Sequence, residues 1–102
     1  MDVTITEIID DLRAADEMTR RFERKYWLSS ADFFELYESG LLDVGENLDD
    51  YTLWAGFYKI KQDREAALAI LSRQRLAELR LTGKENGVRI RPLEPILRSV
   101  TA

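Results

Sequence analysis

Apolar residues recur at three- and four-residue steps over the first quarter of the chain. Ile5, Ile8, Leu12, Ala15, Thr19, Phe22 and Tyr26 fall on one stripe, which predicts an amphipathic helix over residues 4–26. Thr4 or Thr6 can cap its start, and Glu7 stands three residues after Thr4, the spacing of a capping box. Ser29 and Asp32 mark a break and a restart. Phe33, Phe34, Leu36 and Tyr37 then predict a short helix ending at Gly40, with two apolar sides. Residues 41–47 read as a loop turning at Gly45. Leu48 reads as a hydrophobic staple and Asp49 or Asp50 as the next cap. A third helix then runs to about Leu81, ahead of Gly83. Its expected inward stripe is Leu53, Phe57, Ile60, Arg64, Ala67, Leu71 and Arg75, flanked by Trp54 and Leu68. Gly56 within this helix suggests close approach of another backbone, or room for Trp27.

Two long helices joined through a short one predict an all-α fold: an antiparallel long-helix hairpin closed by a short helix, with an extended C-terminal tail. The hairpin takes residues 1–83 and the tail 84–102. Phe33, Phe34, Tyr37, Trp54, Gly56 and Phe57 are expected to build the closed head. In this register Phe22 and Tyr26 meet Leu53 and Phe57, and Arg64 pairs with Asp16. The third helix outlasts the first by about two turns. Ile70, Leu76 and Leu79 would then lie uncovered, which argues for a homodimer or hetero-oligomer. In the tail, Val88-Arg89-Ile90-Arg91 alternates apolar and basic as a strand does. Pro92 and Pro95 oppose a helix, and Leu93, Ile96 and Leu97 extend the apolar content. With no partner strand foreseen, the tail is expected to add to a binding partner rather than to fold back.

Charge sharpens this outline. Residues 26–58 hold seven acids and no base, residues 1–25 are net −2, and residues 59–102 are net +5. The acidic block also holds nine of the ten aromatics. Such segregation favours a complementary partner. Asp43, Glu46, Asp49, Asp50 and Tyr58 are therefore candidate contacts in the head. Val88, Arg89, Ile90, Arg91, Leu93, Ile96 and Leu97 are candidates in the tail.

The chemistry is sparse. There is no Cys and no His, which removes disulfides, thiolate and imidazole metal sites, and His acid–base catalysis. The loop carboxylates depart from EF-hand spacing, and the serines have no histidine base. No catalytic residue, metal site or cofactor is expected. The basic second half could contact phosphates. Its bases spread around the helix, though, while the stackable aromatics lie in the acidic block. Nucleic-acid binding is thus possible but not favoured. No apolar run approaches the ~20 residues of a membrane span, and no signal-peptide pattern opens the chain, so a cytoplasmic location is expected.

Lys25-Tyr26-Trp27-Leu28-Ser29-Ser30-Ala31-Asp32-Phe33-Phe34, then Gly40-Leu41-Leu42-Asp43, then Trp54-Ala55-Gly56-Phe57-Tyr58, resembles a group of small bacterial, cyanobacterial and archaeal proteins. These read roughly K-Y-G-[LM]-S-S-x-x-F-Y, G-x-L-x-D and, after an acidic loop, W-A-G-L-Y. Members are often taken as antitoxins beside small ribonuclease-type toxins such as the TumE-like group. The resemblance covers about residues 22–62. Trp27 stands where the pattern has Gly, and Leu53 where it has an acid. It implies a toxin-neutralising binding protein, with Phe33, Phe34, Gly40, Leu42, Asp43, Trp54, Gly56 and Tyr58 as the matching positions. The alternatives are a self-associating helical scaffold or regulator without a toxin, and a nucleic-acid-binding regulator using the basic half.

Overall fold

The computed structural model describes residues 2–93 and 97–100. Strand β1 (Asp2–Val3) leads into α1 (Ile5–Tyr26). Helices α2 (Ser30–Glu38) and α3 (Leu48–Thr82) follow, and strand β2 (Arg98–Ser99) comes last. α1 and α3 form the antiparallel hairpin, α2 closes one end of it, and the molecule measures 61 × 25 × 22 Å. The all-α class expected from the pattern is the class observed.

Cap chemistry sets the helix starts. The Glu7 N–H donates to Thr4 Oγ1 and the Thr4 N–H to Glu7 Oε2, each at 3.1 Å, so two otherwise unpaired donors are satisfied reciprocally. The Asp32 N–H donates to Ser29 Oγ at 3.1 Å and starts α2. Gly40, at φ +77°, stops α2. The start of α3 differs from expectation. Asn47 is the cap residue and makes no side-chain cap bond. Asp49 and Asp50 lie inside the first turn, where they still face the positive end of the helix dipole. α3 ends at Gly83, whose N–H donates to the Leu79 carbonyl at 3.0 Å. A Cβ there would run into the Val88 side chain and sit 3.0 Å from the Gly87 carbonyl oxygen.

α1 ends on Trp27, which caps it in the left-handed region (φ 57°, ψ 44°) with its N–H donating to the Glu23 carbonyl. It is the one non-glycine residue with a positive φ among the described residues. Its ring is 93% exposed. The expectation that Gly56 makes room for Trp27 or for another backbone therefore fails: Gly56 is exposed, with nothing within 4 Å of a Cβ built on it.

Two core clusters hold the hairpin. Phe22, Phe33, Trp54 and Ala55 form the head cluster, with Tyr26, Leu28, Phe34, Tyr37, Leu42 and Tyr51 packed around it. Val3, Ile8, Ala67 and Leu71 form the base cluster, joined by Leu12, Leu68 and Val100. Between them lies a waist crossed by ion pairs: Lys61 to Asp16 at 2.9 Å and Arg64 to Asp11 at 2.8 Å. Arg64 thus pairs with Asp11, not with Asp16 as expected. Toward the base the inward face of α3 is as expected, with Ala67 and Leu71 buried, but toward the head it is turned by about one residue. Trp54 is buried, whereas Leu53 and Ile60 are 52% and 43% exposed. Phe57 is half-buried and stands outside the head cluster.

The tail folds back instead of projecting. Residues 83–87 reverse the chain, and β2 pairs antiparallel with β1, matching Asp2 to Ser99 and Val3 to Arg98. Arg75 donates to the Arg91 carbonyl at 3.0 Å, Gln74 to the Ser99 carbonyl at 3.0 Å, and Arg98 pairs with Glu78 at 2.9 Å. The strand expected at 88–91 is absent: those residues belong to no helix or strand, and the sheet among the described residues contains only β1 and β2. The available edge is β1, and the chain reaches it only at 98–99. This return covers part of the overhang of α3, where Ile70 and Leu79 are half-buried and Leu76 stays exposed.

Candidate interaction surface

The head is built outward from Trp54. Its ring is 1% exposed and lies almost parallel to Phe33, with centroids 3.8 Å apart and planes at 4°. Phe22 and Tyr26 from α1 each lie 5.7 Å away at 17°. Three elements meet on one indole, so α2 is fixed relative to the hairpin. A polar chain completes the joint. Trp54 Nε1–H donates to Ser30 Oγ at 2.8 Å, and the Ser30 hydroxyl and N–H both donate to Glu23 Oε2 at 2.8 Å. Arg20 donates to the other oxygen of Glu23 at 2.8 Å. No buried side-chain nitrogen or oxygen among the described residues is left without a partner.

On this support the predicted contacts divide. Asp43, Glu46 and Asp49 are exposed. So are the apolar residues among them: Leu41, Val44 (80% exposed) and Leu48. Asp50 is not part of that free surface. Its Oδ2 accepts from Lys25 at 2.6 Å and from the Tyr26 hydroxyl at 2.5 Å, tying α3 to α1. Tyr58 is half-buried, with its ring 5.2 Å from Phe34. Asp50 and Tyr58, expected as contacts, thus also join α3 to α1 and α2. In the tail, Val88, Arg89, Ile90, Arg91, Leu93 and Leu97 are exposed, at the other end of the hairpin from Asp43–Asp49. Ile96 lies outside the described residues. The Glu23–Ser30–Trp54 chain escaped the sequence reading, because Glu23 and Ser30 look like an ordinary charged face and a cap.

The ion pairs set a direction for acid stability. The hydrogen bond from Lys61 holds the Asp16 carboxyl below the usual carboxylate range. The bonds from Lys25 and Tyr26 do the same for Asp50. For Glu23, burial pushes the carboxyl up, but the donors of Ser30 and Arg20 together outweigh it and the net direction is down. A lowered folded pKa stabilises the fold above the unfolded value, and that contribution is lost as pH falls through the folded value. The melting temperature is therefore expected to be flat from pH 7 to about 5 and to fall below about pH 4. In Asp16→Asn, Glu23→Gln and Asp50→Asn together, the acid decline should be clearly shallower. Thermal melts across that range check this.

Two shallow open grooves flank the waist, one along Ile9, Leu12, Lys61 and Leu68 and the other along Ile60, Ala67, Ile70 and Val100. Among the described residues, no three or more carboxylates are placed to hold a metal ion, and no helix is long and apolar enough to cross a membrane. Comparison with family models, curated proteins and solved structures gave no match.

Proposed function

We propose that this chain is a binding protein that neutralises a small ribonuclease-type toxin by seating its acidic head on the toxin's basic surface. One observation carries the reading. Asp43, Glu46 and Asp49 stand exposed among Leu41, Val44 and Leu48, on a head whose interior is fixed by Trp54 and Ser30. No base lies between residues 26 and 58, and Lys25, just before that block, is taken up by Asp50. Carboxylates on a rigid support attract a basic partner at long range and fix its register on contact. The interleaved apolar residues supply the surface whose burial holds the complex. The sequence resemblance supports the same reading. The basic and apolar residues 88–93, with Leu97, offer a second contact at the far end of the molecule.

Exposed Leu53 and Ile60 on α3 favour self-association as the second reading.

Co-expression with the product of the adjacent reading frame tests the first. Wild-type chain is expected to rescue growth arrest and to co-purify with that product. Reversing Asp43 and Glu46 to lysine should weaken the complex at least tenfold and leave helicity unchanged, since both lie in the loop outside the helices. A neighbour with no toxicity and no affinity for this chain sinks the proposal.

A further inference from the structure

Trp27 is the residue whose placement the fold does least to explain. Its backbone is left-handed, a conformation that glycine adopts freely and an L side chain adopts at a cost. Packing does not offset that cost, because the ring is 93% exposed. The position is nevertheless rigidly held. The Trp27 N–H is bound to the Glu23 carbonyl at 2.8 Å. Tyr26 and Leu28 on either side are packed into the head cluster, and Ser29 caps α2. The outcome is a large aromatic ring, fixed at its root and directed into solvent, at the start of a 33-residue stretch with seven acids and no base, directly after the basic last turn of α1 (Arg24 and Lys25). A preformed indole loses little freedom on binding, and Trp is enriched among residues that dominate interfaces.

The acids of the head call for a basic occupant, and the function proposed above makes it an RNA-cleaving protein. A protein that cleaves RNA holds phosphates with basic groups and unstacked bases against aromatic or guanidinium planes. We propose that Trp27 enters the substrate groove of such a protein, its indole taking a base position while the head's carboxylates take phosphate positions. This rests on the function proposed above and adds to it both the anchor and the site on the partner.

The test uses the full chain, the product of the adjacent reading frame, and a labelled single-stranded RNA oligonucleotide, 2′-O-methylated so that it binds that product without being cleaved. Wild-type chain is expected to displace the RNA, and Trp27→Phe to do so within a few-fold. Trp27→Gly and Trp27→Ala should each displace it about thirtyfold less well, although Trp27→Gly melts at a higher temperature than wild type. Emission from exposed Trp27 should shift to the blue in the complex, against the constant signal of buried Trp54. If Trp27 has only a structural role, affinity follows stability and Trp27→Gly displaces RNA as well as wild type, which overturns the inference alone. A complex that leaves the RNA in place overturns it as well. A concentration-dependent blue shift of the chain by itself would assign the Trp27 surface to a second copy and overturn the partner assignment. Absence of any complex with the wild-type chain overturns the inference and the proposed function together.

Discussion

Trp54→Ala is expected to lower stability by about 3–5 kcal/mol, read by urea unfolding with far-ultraviolet circular dichroism. The ring is the common contact of Phe22, Tyr26 and Phe33, which come from both of the other helices. Removing it opens a void that three separate elements must close at once, so relaxation recovers little. It also strips the partner from the Ser30 hydroxyl. Against a total of about 5–15 kcal/mol for an ordinary domain, this single change threatens the docking of α2 and with it the acidic loop. Trp54→Phe keeps most of the stacked surface and should cost about 1–2 kcal/mol, chiefly through the lost N–H donor.

Ser30→Ala is the second large effect, about 2 kcal/mol. The hydroxyl accepts from Trp54 Nε1 and donates to Glu23 Oε2, so its loss leaves a buried indole N–H without an acceptor. The Glu23 carboxylate keeps the backbone N–H of residue 30 and Arg20, which limits the damage on that side. The two predictions are coupled. In the double variant Ser30→Ala with Trp54→Phe, no orphaned donor remains, so the combined loss should fall short of the sum of the single losses by about 1 kcal/mol. Additive losses would show that the hydrogen bond contributes nothing of its own.

The sequence was most informative where local chemistry decides structure. Thr4 with Glu7, Ser29 with Asp32, and Gly40 and Gly83 sit at helix ends for reasons readable within four residues. The inward face of α3 was less legible. Leu53 and Trp54 are adjacent and both apolar, and which of them faces inward depends on what covers the helix. At the head that is α1 and α2, and at the base it is α1 and the returning tail. The register was misjudged by about one turn for the same reason: Asp16 meets Lys61, and Arg64 meets Asp11. In the candidate surface, the exposure of Asp43 and Glu46 followed from their loop, and that of Asp49 from its place in the first turn of α3. The capture of Asp50 by Lys25 and Tyr26 did not, because it depends on how two helices distant in sequence are aligned. The tail's partner strand was invisible in the pattern, since β1 is two residues long and shows no alternation.

The polar waist between the head and base clusters bears on cooperativity. Beneath the ion pairs Ala15 and Thr19 are buried, and α1 and α3 run unbroken through the waist, so head and base are joined by packing. The β1–β2 clasp lies outside that span and pairs only two residues per strand, so it can open while the stack around Trp54 stays closed. A ligand that draws Arg91 away from Arg75 and opens the clasp would then work against the base alone. The molecule can give up its tail without releasing its head.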